Sequence, residues 1–94
     1  MSATPGAQTT TPQRVATSTA PATLFAATAR ANARHVFNES GVVLYVKFGA
    51  TASATDYTVA IAASGYFEFP QPVFSGQVTG TLASGTGNAQ CTAY

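Results

Sequence analysis

Residues 34–70 read RHVFNESGVVLYVKFGATASATDYTVAIAASGYFEFP. Within this stretch Val42, Leu44, Val46 and Phe48 occupy every second position, which in a strand places them on one face. Tyr57, Val59, Ile61 and Ala63 repeat the spacing, and Phe67 and Phe69 repeat it again. Three consecutive segments of period two predict a β-sheet covered on one side, with Val42–Phe48 as its central strand. The turns between them are small. Asn38-Glu39-Ser40-Gly41 has the chemistry of a hairpin turn, Gly49–Asp56 is a loop of small residues, and Ser64-Gly65 is a tight turn.

On the N-terminal side, Gln13–Ala20 reads as a Thr-rich strand ended by Pro21, and Thr23–Ala26 as a strand followed by a loop. On the C-terminal side, Pro70–Pro72 blocks further ladder pairing. Residues 74–83 then alternate Phe74, Gly76, Val78, Gly80 and Leu82 on one face with Ser75, Gln77, Thr79 and Thr81 on the other. Ser84–Asn88 reads as a hairpin turn before a last strand at Ala89–Tyr94. Short strands at close spacing predict an all-β fold: a small antiparallel sandwich or barrel of six to eight strands.

Ninety-four residues make one small domain with a thin core. Residues 1–12 hold two Pro, one Gly and no large apolar side chain after Met1, so alone they cannot offset their ordering entropy. They are expected to form an extended arm that orders against a neighbour, with residues 13–94 as the β-domain. Charged residues make up only 7% of the chain, against about a quarter in ordinary globular proteins. A chain so poor in charge is weakly protected from association, which points to a surface covered in its working state. The net charge of +1 argues against nucleic acid or anionic membrane as partner. No apolar run of about 18 residues and no secretory leader is visible, and folding in a reducing cytoplasm is expected.

Chemistry is sparse. The one cysteine, Cys91, reads as a small buried apolar residue, and one thiol forms neither an intrachain disulfide nor a thiolate metal cluster. A nucleophile triad would need His35 and Asp56, yet no nucleophile motif accompanies them, so His35 reads as structural. Paired carboxylates would have to come from Glu39, Asp56 and Glu68, and Glu39 lies in a turn. Neither catalysis nor a cofactor nor a metal is expected. The Asn38-Glu39-Ser40 sequon is read as turn chemistry. Arg30, Arg34, Lys47 and Tyr45 would be the residues of a single-stranded nucleic-acid surface, but four cations against three anions make a weak attraction. Tyr45, Tyr57, Tyr66 and Tyr94 could stack on sugar rings, although tyrosine is equally an ordinary interface residue.

The order of several pieces resembles a family of small structural proteins of tailed bacteriophages. That pattern runs from an Arg-led strand through an Asn-Asp/Glu-Ser turn and a Leu-Tyr-Val-Lys strand ending in Gly. A Tyr-Thr-Val strand, a Gly-Tyr-Tyr/Phe-Glu segment and a Gly-rich last third follow. Here the pieces are Arg34, Asn38–Ser40, Leu44–Gly49, Tyr57–Val59, Gly65–Glu68 and Phe74–Leu82. The likeness covers roughly residues 23–94 and leaves out the arm. It implies a virion part made in the host cytoplasm: a capsid decoration (cement) protein on the outer capsid surface, or a fibre, tail or lectin-like module that binds host glycan. For a decoration protein the partners would be the major capsid protein and copies of itself in a homotrimer. The expected assembly interface is Val15, Leu24 and Phe25 as apolar anchors with Tyr66 and Tyr94 at the rim.

Overall fold

The computed structural model describes residues 11–29 and 31–94. Eight strands succeed one another: β1 (Thr11–Thr17), β2 (Ala22–Phe25), β3 (Arg34–Glu39), β4 (Leu44–Phe48), β5 (Val59–Ile61), β6 (Tyr66–Glu68), β7 (Val78–Leu82) and β8 (Gly87–Ala93). They form two four-stranded sheets, one in the order β1-β8-β3-β6 and the other β2-β7-β4-β5. Every pairing between these strands is antiparallel. The fold is all-β as the alternating pattern predicts, and of the two expected architectures it is the sandwich. The expected arm boundary shifts: Thr11 and Pro12 already pair with Ala93 and Thr92, and residues 1–10 lie outside the described residues.

Alternation explains the core. Val36 of β3, Ala89 and Cys91 of β8 and Phe69 after β6 come from the first sheet. They meet Leu24 and Phe25 of β2, Leu44 and Val46 of β4, Ile61 of β5, and Val78 and Leu82 of β7. Val46 is fully buried on an inner strand, as its place in the central run requires. Tyr57 departs from its run, lying exposed before β5 instead of on the inner face.

Among the described strands, β4 and β5 are the one consecutive pair that share a sheet and a ladder. Every other connection crosses the sandwich, which corrects the hairpin readings of Asn38–Gly41 and Ser84–Asn88. The β3–β4 crossing at Asn38–Gly41 is held by the buried Asn38 side chain. Its Nδ2 donates to the carbonyls of Val42 at 2.8 Å, Ile61 at 3.0 Å and Ala62 at 3.0 Å. Its Oδ1 accepts from the Ser40 hydroxyl at 2.7 Å. The Asn38 backbone adds two more bonds, to Gly65 and Ser64. One residue thus satisfies the carbonyls of two arches that no ladder reaches.

The opposite end of β3 is tied by Arg34, which is buried at 1% exposure. Its Nη1 donates to the carbonyls of Phe74 at 2.7 Å and Gly76 at 2.8 Å, and its Nη2 to Ala26 at 3.0 Å. The guanidinium also lies 4.9 Å from the Phe25 ring centroid. Among the described residues no carboxylate pairs with it. Burial lowers its pKa, yet an arginine remains charged, so loop carbonyls and an aromatic face stand in for the anion. Gly76 belongs to the same clamp, because a Cβ there would meet the Phe74 ring at 2.5 Å.

β7 departs from the expected two-faced pattern, for all five of its residues are buried. Val78, Gly80 and Leu82 face the core, and a Cβ on Gly80 would meet Leu24 at 2.8 Å. Thr79 and Thr81, expected outside, lie under loops. The Thr79 hydroxyl accepts from the Ala52 amide at 3.0 Å and donates to the Gly49 carbonyl at 2.8 Å. The Thr81 hydroxyl donates to the Ser18 carbonyl at 3.2 Å.

Three measurements test this packing. Val46→Asp buries an unpaired carboxylate in a thin core and should abolish cooperative unfolding in a urea titration. Arg34→Lys keeps the charge but loses the planar fork, so the urea midpoint should fall by the equivalent of about 2–3 kcal/mol. Burial pushes the Cys91 thiol up to about 12. Because the unfolded thiol ionises near the ordinary value of about 8.5, stability should decline as pH rises above that value. Cys91→Ala should remove that part of the decline between about pH 8.5 and 9.5, where the slope reaches at most about 1.4 kcal/mol per pH unit.

Candidate functional site

β3 directs its polar ends inward. Arg34, Val36 and Asn38 are buried, so His35, Phe37 and Glu39 occupy the outer face of the first sheet. The register then builds that face row by row. His35 stands opposite Glu68 of β6 and Thr92 of β8, and Thr92 stands opposite Pro12 of β1. In the next row Phe37 stands between Tyr66 and Gln90, with Arg14 beyond. Glu39 accepts from Arg14 Nε at 2.9 Å and from Gln90 Nε2 at 3.1 Å, which neutralises that corner.

Three of the exposed large apolar side chains share this face: Tyr66 at 57% exposure, Phe37 at 37% and Tyr94 at 37%. His35 joins two of them, its ring centroid 5.3 Å from Tyr66 and 6.0 Å from Tyr94. The Tyr66 phenol is held above its ordinary value by desolvation at the sheet surface, then by the Glu68 carboxylate and Tyr94. A tyrosine phenol is neutral at physiological pH even at its ordinary value of about 10, so Tyr66 can act there as a donor. The result is an aromatic row, flanked by the Glu68 carboxylate, that can stack on a partner and donate hydrogen bonds.

The five expected interface residues divide. Tyr66 and Tyr94 stand together on this face, whereas Val15 is half-buried against the core. Leu24 and Phe25 are core residues at 2% and 8% exposure, so their apolar surface anchors this chain's own sheets and not a partner. Two adjacent large side chains at Leu24-Phe25 carry no alternation, which is why the sequence leaves their direction open. His35 and Phe37 are the members the sequence reading missed. The signal was present in the alternation about Val36, but it is legible only once Arg34 and Asn38 are known to point inward.

The other constellations come apart. Asp56 accepts from Lys47 Nζ at 2.6 Å on the second sheet, across the sandwich from His35. Cys91 is buried and neutral, and the sequon amide of Asn38 is spent inside. Among the described residues no group of three or more His, Cys, Asp or Glu side chains could hold a metal. Arg34, named for a nucleic-acid surface, is interior, and Arg30 lies outside the described residues. Tyr45 and Tyr57 do meet, with centroids 4.8 Å apart near the Lys47–Asp56 pair. Among the described residues no helix is long and apolar enough to cross a membrane. Comparison with known proteins finds no matching family model, no matching curated protein and no matching solved structure.

Proposed function

We propose that the protein is a virion structural component, a capsid decoration subunit that binds and stabilises the major capsid protein lattice and has no catalytic role. The observation that carries this reading is the Tyr66–His35–Tyr94 face with Phe37, exposed on a chain with 7% charged residues. Such a face gains by being covered and is poorly suited to long-range electrostatic capture. The likeness of residues 23–94 to phage structural proteins supplies the kind of partner. Subunits that meet at the three-fold positions of the lattice would form homotrimers on the outer capsid surface. Apolar contact and backbone pairing hold them there, since the charges of Arg14 and Lys47 are already matched by Glu39 and Asp56.

A second reading rests on the Tyr45–Tyr57 pair: a fibre, tail or lectin-like module that stacks these rings on host-surface glycan. Copy number separates the two. Hundreds of copies per purified particle support decoration, and a dozen or fewer support a fibre or connector.

Attachment should show the balance of forces directly. Raising salt from about 0.1 to 1 M shortens the Debye length from about 10 Å to 3 Å and should leave the bound fraction unchanged. Phe37→Ser combined with Tyr66→Ser should weaken attachment by about tenfold or more, as removal of aromatic anchors does. Deleting residues 2–10, which leaves the Thr11–Ala93 pairing in place, should also weaken it. Release from particles by salt alone would count against this mechanism.

A further inference from the structure

The outer face of the second sheet carries two side-chain pairs on neighbouring rungs. Leu44 and Val46 of β4 lie in the core, so Tyr45 and Lys47 stand on the outside. Tyr45 meets Tyr57 with ring centroids 4.8 Å apart, and Lys47 Nζ donates to Asp56 Oδ2 at 2.6 Å. Asp56 and Tyr57 are consecutive, and the backbone on both sides of them is fixed. Asp56 exchanges amide–carbonyl bonds with Ser53 at 3.0 and 3.3 Å, and the Thr58 amide donates to the Val46 carbonyl at 2.6 Å. We propose that Tyr45, Tyr57 and Asp56 form a subsite for one neutral pyranose ring. This rests on the glycan reading of the tyrosine pair and deepens it, by naming the class of sugar and the group that selects it.

Shape, charge and position support it. Two residues of strand separate the rungs by about 6.8 Å, comparable with the breadth of a sugar ring. A ring whose C–H face lies on the tyrosines therefore brings its edge hydroxyls to the Lys47–Asp56 pair. On one side Lys47 and Tyr45 stand opposite Thr79 and Thr81 of β7, whose hydroxyls are taken by the loops that cover them. On the other side β5 ends the sheet, and Tyr45 stands opposite the small, exposed Ala60. The floor is open from that edge. The ion pair is neutral as a whole but unevenly exposed, with the Asp56 side chain at 65% and that of Lys47 at 27%. A ligand therefore meets a carboxylate first, which accepts from hydroxyls and repels acidic sugars. A proline-rich segment also lies flat on tyrosine rings, but its proline residues bring no donor for that carboxylate. One ring so held binds weakly, and many copies on one particle offset this through avidity. The subsite and the Tyr66–His35–Tyr94 row belong to different sheets, so a subunit attached through the first leaves the second uncovered.

The test titrates the full-length, isotopically labelled protein with methyl β-galactoside, methyl β-glucoside, methyl β-glucuronide and a polyproline peptide. At least one neutral glycoside is expected to shift the Asp56, Tyr57 and Ala60 amides saturably, with saturation transfer from the tyrosine rings to its C–H protons. The glucuronide should bind more weakly. Tyr57→Ala should lower the affinity about two- to tenfold while the amides of the first sheet stay in place. Asp56→Asn keeps the shape and leaves the Lys47 ammonium unmatched, so it should turn the preference toward the glucuronide. Phe37→Ser with Tyr66→Ser, on the other sheet, should leave the titration unchanged. A glucuronide that binds the unsubstituted protein as tightly as the neutral glycosides, or a preference unmoved by Asp56→Asn, would overturn the neutral-sugar assignment and leave stacking in place. Shifts from polyproline alone, or no shift from any sugar, would overturn the glycan reading with it.

Discussion

A guanidinium buried among carbonyls is the constraint on which the rest of this sandwich depends. Moving Arg34 out of water is expensive, and no carboxylate among the described residues repays it. What repays it is a set of loop carbonyls that have no strand to pair with. Those of Ala26, Phe74 and Gly76 would be costly to bury alone, and the fork satisfies them together. Two unfavourable burials thus offset one another in part, while the buried Arg34 Nε has no hydrogen-bond partner among the described residues. The two connections that hold these carbonyls, 26–33 and 69–77, are fixed in the same step.

Asn38 solves the matching problem at the far end of the same strand. Because most connections cross between the sheets, the chain accumulates arches whose carbonyls no ladder can reach. β3 therefore carries its polar side chains inward at both ends, with Val36 between them in the core. The strand is inverted relative to the usual polar-out pattern. The outer face inherits what remains, and what remains is His35 and Phe37. The aromatic surface is in this sense a consequence of how the interior is wired.

This inversion decides how much could be read from the sequence. Leu44, Val46, Ile61 and Phe69 were legible because strict alternation of large apolar residues admits one inner face. Arg34-His35-Val36-Phe37-Asn38 was not, because either set could be outside, and charge argues for the wrong one. The hairpin readings failed for a related reason: a turn sequence fixes local backbone shape but not whether its flanking strands share a sheet. The Thr face of β7 was misread because loops 49–56 and 18–21, short and poor in large side chains, give no sign that they cover it. Of the candidate site, Tyr66 and Tyr94 were found by residue type. Their meeting through His35 depended on a register that only the folded chain supplies.

The two edges of the first sheet are guarded differently, and this bears on how a partner can approach. β6 offers three residues, and Pro70, lacking an amide proton, follows closely. The Glu68 carboxylate beside it further discourages an apolar strand. β1 is seven residues long, and Pro12 removes a donor near its start only, leaving Gln13–Thr17 as continuous backbone. Arg14 on that strand is neutralised by Glu39, so it repels an incoming strand less than a free cation would. Backbone pairing is therefore easier at β1 than at β6. A partner that pairs at β1 must lie beside the row that runs through Gln90 and Phe37 to Tyr66. Edge and aromatic face thus form one continuous surface of the first sheet, on which a proposed partner would find backbone groups to set a register and aromatic rings to bury.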